Sequence, residues 1–347
     1  MRALALLGHG GVESLAELDL PAPVISAPDQ VLIRVRTAAI NHLDLFLTEG
    51  VKGITLQFPH VVGTDGAGVV EAVGDAVRVI RPGDRVTINP GISCGECESC
   101  RQGEDPYCRR YQILGEHRAG TAAEFVVVPE RNVAVVPENM PWDVAAAFPL
   151  STLTAWRMLT TRAGLQAGET VLIWGVGGGV ALAALAIAKH LGARAIATSS
   201  TNWKLERARV LGADEVFNHT ETAPDEIARE VRKLTGGGAD VVVDTVGKST
   251  WDASLKSLRP GGRLVTCGAT SGPDVGLDIR RLFWFQWSLL GSTMGSLAEF
   301  AEVMALARAG KLWPVVDSVV PLAEGAEAYR RMERGEQQGK LVIEVSR

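Results

Sequence analysis

Cysteine is scarce and unevenly spread: the chain has five in 347 residues, and four of them fall between Cys94 and Cys108. Such bunching suggests metal binding in a reducing compartment more than a secreted disulfide scaffold. Basic excess is also missing. Lys and Arg number 35 against 40 Asp and Glu, a net charge of −5 with no Lys/Arg cluster, which argues against nucleic acid or an anionic membrane as a main partner. Long apolar runs are limited to Val171–Ala188, 18 residues without a charge, and Gly175, Gly177, Gly178 and Gly179 would break a spanning helix there. A signal peptide is no better supported, since the apolar run Ala3–Leu7 ends at once in Gly8, His9, Gly10 and Gly11. Repeats and low-complexity segments are absent too. What is left is an average globular composition, long enough for two domains with their own cores and read as cytoplasmic.

Within that composition one stretch organises the rest, Val171–Ala193. A short β-type run, Val171–Trp174, meets the glycine cluster and passes into a helix ending near Leu191. A turn of this kind holds a dinucleotide pyrophosphate, because glycines allow close backbone approach and the helix N-terminus offers free N–H groups and a positive dipole end. Alone it is weak, since other Gly-rich strand-to-helix turns look the same.

Before it, from Met1 to about Leu150, short strands are punctuated by Gly and Pro. Val31, Ile33 and Val35 alternate with Leu32, Arg34 and Arg36, and Gly66–Val73, Asp84–Ile88 and Ala123–Val128 are further β-rich runs. Turn signals at Pro82-Gly83-Asp84, Asn89-Pro90-Gly91 and Val136-Pro137-Glu138 separate them. The pattern favours a compact, barrel-like β domain. Inside it, Cys94-x2-Cys97-x2-Cys100-x7-Cys108 can close a tetrahedral shell around Zn²⁺ with no open position, the design of a structural site. An iron–sulfur cluster would prefer a fourth cysteine four residues after the third and followed by Pro, whereas Cys108 is followed by Arg109. Disulfides and free thiols remain alternatives.

The β domain, the four-cysteine lobe and the later Gly-rich turn, in this order, resemble the medium-chain dehydrogenase/reductase superfamily, which includes zinc alcohol dehydrogenases and quinone oxidoreductases. Gly63-x-Asp65-Gly66-Ala67-Gly68-Val69-Val70-Glu71-x-Val73-Gly74 and Pro82-Gly83-Asp84-Arg85-Val86 are phrases of that superfamily. The resemblance covers essentially the whole chain. It implies a Rossmann doubly wound parallel sheet plus a GroES-like β-barrel catalytic domain. The expected domains are residues 1–150 with a structural-zinc lobe near 90–110, residues 151–294 for the dinucleotide, and residues 295–347 returning to the first.

Departures from the zinc alcohol dehydrogenases bear most on function. Their catalytic zinc is held by Cys, His and Cys; those positions fall on Asn41, Thr64 and Leu150 here. The Ser or Thr that starts their proton relay falls on Leu43, while His42 occupies a pyrophosphate-facing position and Asp44 and Asp65 those behind the metal. Oxidising an unactivated alcohol needs a Lewis acid at the developing alkoxide. An electrophilic acceptor, such as a quinone or activated C=C, takes hydride without one if held near the nicotinamide. Asn41 with Asp44 also resembles the Asn-x-x-Asp element of quinone oxidoreductases, although the Arg that often follows is Thr48. For His42 and Asp44 the plainer reading is that they satisfy backbone at a strand end. His60 reads as surface or core, and Glu116-His117-Arg118 as a cleft border or a solvated loop.

In the second half, Val171–Trp174, Ala193–Thr198, Glu215–Phe217, Asp240–Thr245, Gly262–Gly268 and Ser288–Thr293 are strand candidates, separated mainly by helical patterns. The spacing sets Gly175, Gly178 and Ala181 at the three small-residue positions of the turn, with Gly177, Gly179 and Val180 between and around them. No acid stands at the end of the second strand to grip a ribose 2′-OH. Thr198-Ser199-Ser200-Thr201 and Lys204 stand there instead, which suits a 2′-phosphate and favours NADP(H), with NAD(H) possible. The resemblance adds Thr154, Thr245, Val246, Gly268, Ala269 and Met294 to the cofactor residues. Cys267 reads as a small hydrophobe, and the aromatic run Phe283–Trp287 as core packing or a subunit contact rather than a quinone-stacking surface.

The expectation is therefore an NAD(P)H-dependent reductase of a quinone, enone or aldehyde, with a structural zinc and no catalytic metal. Asn41, Thr64, Asp65, Leu150 and Thr154 would line its interdomain cleft, with no general acid assigned. The partners expected are a small-molecule substrate and a second copy, as homodimer or homotetramer. Two alternatives stand beside it: an alcohol dehydrogenase with a rearranged metal site, and a non-catalytic NADP(H)-binding sensor or structural protein.

Overall fold

The computed structural model describes residues 1–346. Met1–Leu150 together with Gly295–Arg347 make one compact unit, and Ser151–Met294 make the other.

In the first unit the alternating stretch becomes the strand Gln30–Ala39, and Val31, Ile33 and Val35 are all fully buried. Burying each such side chain stabilises the fold by roughly 1.5–3 kcal/mol. This strand is the centre of a seven-stranded sheet. It pairs antiparallel with Asp65–Val73, Phe125–Pro129 and Lys340–Glu344. Gly68 lets the strands approach here, because a Cβ on it would stand 2.1 Å from the Arg34 carbonyl oxygen. Val316–Pro321 and Lys340–Glu344 form a parallel pair, and the helix Gly325–Glu333 lies between them in the chain. A three-stranded sheet of Arg2–Leu6, Leu15–Asp19 and His60–Val61 and a two-stranded sheet of Gly91–Ile92 and Gln112–Ile113 complete the β structure around the main core.

The second unit is a six-stranded parallel sheet. Its order is Glu215–Asn218, Arg194–Ser199, Thr170–Ile173, Ala239–Val243, Leu258–Thr266 and Ser288–Gly291. The first strand in sequence therefore lies third in space, with the fourth beside it. That reversal of winding is the switch point at which doubly wound sheets bind ligands. The central strands Arg194–Ser199, Thr170–Ile173 and Ala239–Val243 are Val-, Ile- and Ala-rich and largely buried on both faces, as parallel strands covered by helices must be.

The aromatic run is not core as a whole. Phe283 and Trp284 are 65% and 75% exposed on the short helix Ile279–Phe285. Phe285 instead stacks on the buried Trp287 at 5.1 Å. Successive helical positions turn by about 100°, so the neighbours Phe283 and Trp284 share the outer side while Phe285 turns in to Trp287, which the run of letters does not show. No helix among the described residues is long and apolar enough to cross a membrane.

Candidate functional site

Three groups of side chains carry chemistry. In the first unit the strand Gln30–Ala39 ends at Asn41, which caps the helix His42–Glu49; the Asn41 N–H donates to Asp44 Oδ2 at 2.8 Å. The Asn-x-x-Asp element is thus a capping box, and the plain reading of Asp44 as a backbone acceptor is correct as far as it goes. Its other oxygen accepts from Thr64 Oγ1 at 2.8 Å. Asp65, the next residue, accepts from the Leu150 N–H at 2.8 Å and from Asn41 Nδ2 at 2.9 Å. Asn41, Thr64 and Leu150, far apart in sequence, are therefore cross-tied by two carboxylates.

The cluster holds a cation as well. Lys340, 3% exposed, donates to Asp65 Oδ2 at 3.0 Å and to the amide oxygen of Asn41. Sequence reading missed this residue. The available signal was a lysine opening an apolar strand, Lys340-Leu341-Val342-Ile343, where a long cation persists only if paired. Tyr329 was missed as well. Its hydroxyl is buried facing Asp44, and its pKa is pushed well up, by burial first and then by the charge of Asp44 and a hydrogen bond to it.

Thr64 and Asp65 have no exposed surface, so their polar atoms face the network and not open space. Asn41 and Leu150 keep 7% and 9%. Burial raises the Asp44 carboxyl to about 6, against the opposing pull of its hydrogen bonds. Burial and the nearby Lys340 lower His42, which favours the neutral imidazole. His60 is a structural residue, its Nε2 2.8 Å from the Gly115 carbonyl oxygen. Glu116 is not a solvated loop residue: it is 8% exposed, its Oε2 has no partner among the described residues, and burial raises its pKa.

The second group is Cys94, Cys97, Cys100 and Cys108, whose sulfurs all lie within 4.8 Å of one another. The Cys94–Cys100 and Cys97–Cys100 sulfurs are 3.8 and 3.4 Å apart. A tetrahedral zinc with Zn–S near 2.3 Å puts its sulfurs about 3.8 Å apart, so the four fit the ion. Backbone N–H groups of Cys97 and Arg110 point at Cys94 Sγ and Cys108 Sγ, both at 3.4 Å, and favour thiolates. The lobe is anchored by Asp105, which accepts from Ser93 Oγ at 2.8 Å and from the Leu297 N–H at 3.0 Å.

The third group lies at the C-terminal ends of the parallel strands. Gly175 has φ +72° just past Thr170–Ile173, and Gly178 is the N-cap of the helix Gly179–His190. A Cβ on Gly178 would meet no protein atom within 4 Å. This open cradle at a helix N-terminus fits a pyrophosphate, with Val180 on the helix's first turn. Lys204 is buried with its ammonium turned back on the glycine turn, 3.3 Å from where a Gly177 Cβ would be. Ser199 ends its strand buried and Ser200 is exposed beyond it. Asp244 accepts from the N–H groups of Val246 and Gly247, both at 2.9 Å, and so shapes the turn carrying Thr245 and Val246. Gly268 approaches that turn, a Cβ on it falling 3.2 Å from the Thr245 carbonyl oxygen; Ala269 follows. Met294 holds φ +48°, uncommon for a side-chain-bearing residue, and Thr154 Oγ1 lies 4.0 Å from its sulfur. Cys267 is half-buried and its thiol is pushed up to about 12 by burial.

Comparison with known proteins agrees with this layout. Residues 27–138 match the alcohol dehydrogenase GroES-like domain and residues 179–309 the zinc-binding dehydrogenase family. An NAD-dependent alcohol dehydrogenase of Sulfolobus acidocaldarius is 32% identical over 100% of both chains. An acryloyl-coenzyme A reductase of Metallosphaera sedula is 31% identical over 99% of both. A crystal structure of an NAD-dependent alcohol dehydrogenase superposes with a TM-score of 0.95 at 47% identity, covering 100% of both chains. With both halves and the full length matched, the chain belongs to the zinc-type alcohol dehydrogenase-like branch of the medium-chain dehydrogenase/reductase superfamily, and is an oxidoreductase.

Proposed function

We propose that this oxidoreductase reduces an activated acceptor, a quinone, enone or aldehyde, with a nicotinamide dinucleotide and without a catalytic metal. The observation that carries the reading is Lys340: the side chain standing at the first zinc-ligand position, Asn41, already has its oxygen on an ammonium group. Its amide hydrogens point to Asp65 and Ala39. The remaining two positions offer a neutral hydroxyl already donated to Asp44, and an apolar side chain. Such a set is a poor shell for Zn²⁺, which takes His, Cys or carboxylate ligands.

When bound, the reduced nicotinamide supplies the hydride. The residues of this chain hold the cofactor through the Gly175–Val180 turn and fix the charge of the acceptor site through Lys340, Asp65 and Asp44. The acryloyl thioester named for the Metallosphaera relative is an activated C=C, which supports this acceptor class. The alcohol dehydrogenases among the relatives support the alternative, an alcohol dehydrogenase with a rearranged metal site. The stretch Thr198–Thr201 supports NADP(H), and the names of the relatives NAD(H). We further propose a cytoplasmic homodimer or homotetramer, for which the strand Ser288–Gly291, one of the two edges of the parallel sheet, is the one the resemblance points to.

Metal content per chain, measured with NAD(P)H oxidation by quinones and enones on the same sample, tests the reading. About one zinc per chain and chelator-insensitive turnover are expected. About two, with activity lost on chelation, would replace it with the alcohol dehydrogenase reading.

A further inference from the structure

The end of the second parallel strand lacks the acid that usually grips the ribose 2′-OH, yet the space beside it is not free of negative charge. Ser199 pairs in register with Asn218 on the neighbouring strand Glu215–Asn218. Past Asn218 the chain turns back over the Ser199–Asn202 segment. Thr220 Oγ1 donates to the Ser200 carbonyl at 3.1 Å, and Asn218 Nδ2 to Asn202 Oδ1 at 2.8 Å. Through this clamp Glu221 reaches the same edge. Its Oε1 accepts from Asn202 Nδ2 and Asn218 Nδ2, both at 2.9 Å. No described residue donates to its second oxygen in these contacts.

Asn202 is the first residue of the helix Asn202–Val210, three positions beyond Ser199. A carboxylate bonded to the side chain of that first residue puts a negative charge beside the helix N-terminus, where it opposes a 2′-phosphate. Lys204, the cation on which the NADP(H) expectation rested, is turned to the glycine turn instead. His219 next to Glu221 is lowered by burial and favours the neutral ring. The charged group hydrogen-bonded to this edge is thus an anion.

We infer that Glu221, delivered from the third strand by Asn202 and Asn218, replaces the missing acid of the second strand and selects NAD(H) against NADP(H). This reverses the preference read from the sequence, and it rests on the chain binding a nicotinamide dinucleotide. The free oxygen is an acceptor for a ribose hydroxyl and a repulsive charge for a phosphate, so a single group discriminates in both directions.

The test is direct binding of NADH and NADPH to the full-length protein by calorimetry, independent of any acceptor. Wild type is expected to bind NADH about 10-fold or more tightly than NADPH, with the ratio shrinking as salt rises. Glu221→Gln should narrow the ratio by about 5-fold or more, chiefly through tighter NADPH binding, with unchanged thermal stability. Asn202→Ala, which removes one of the two anchors, should narrow it less. Tighter binding of NADPH by wild type, or a ratio that Glu221→Gln leaves unmoved, would overturn the inference while leaving the reductase reading in place. Binding of neither dinucleotide would overturn that reading and this inference together.

Discussion

Lys340 and Asn41 lie 299 positions apart in sequence and are joined by a buried hydrogen bond from ammonium to amide oxygen, with Asp65 closing the triangle. The arrangement places a positive charge, held by two side-chain partners, where the strand Gln30–Ala39 hands over to the helix His42–Glu49. Its strength lies in pairing, because a buried charge stripped of its partner is far more costly than the pair is beneficial.

Replacing Lys340 by Met therefore leaves Asp65 without its cation in a fully buried setting. Chemical denaturation should show a loss of about 3–5 kcal/mol. In the double variant Lys340→Met with Asp65→Asn, much of that loss should return. Equal instability of single and double variants would mean that the pair is not what the site depends on.

Asp44 gives the cluster a pH signature. Its folded pKa is raised to about 6 by burial, so the folded state holds its proton more tightly than the unfolded chain. Its stabilising contribution is complete below about pH 4 and is lost as pH climbs through 6. Comparing wild type with Asp44→Asn between pH 4 and 7 should show this downward slope in wild type only, worth on the order of 2–3 kcal/mol. Identical slopes would count against a raised pKa.

Removing the zinc should be felt as stability rather than chemistry. Cys97→Ser, or exhaustive chelation, is expected to take zinc from about one per chain to none. The melting temperature should fall by about 5–15 °C. Hydride transfer in the surviving folded fraction should persist.

Gly178→Ala separates binding from folding. Its Cβ would touch nothing in the protein, so the melting temperature should stay within about 2 °C. Dinucleotide affinity should drop by about 10-fold or more, since the methyl group fills the space left for the phosphates. Loss of stability with unaltered affinity would place the pyrophosphate elsewhere.

Much of this was legible in the sequence, for identifiable reasons. The Gly175–Gly179 cluster between an apolar run and a helix, the four-cysteine spacing and the Val31/Ile33/Val35 alternation are local signals, and local signals survive reading one residue after another. What was hidden depends on side chains meeting from distant parts of the chain. Nothing near Lys340 indicates that it reaches Asn41, and nothing near Glu221 indicates that a turn folds it over Asn202. The inward facing of Thr64 and Asp65 was hidden too, because strand alternation gives a face but not what covers it. For Phe283 and Trp284 the aromatic letters left core packing and a subunit contact both open, and the short helix turns the two outward, which removes core packing.

The strand Lys340–Glu344 lies between Gln30–Ala39 and Val316–Pro321, in the interior of the first unit's sheet. A ribosome working from the N-terminus makes residues 30–39 some three hundred peptide bonds before the neighbour that completes them. The second unit, continuous from Ser151 to Met294, has all its strands in hand while the first still waits with an open seam. Nascent chains of this protein thus carry Thr37–Ala39, the stretch that pairs with the closing strand, as an open sheet edge through most of translation. The lysine that closes the charged triangle is also the residue that begins the closing strand.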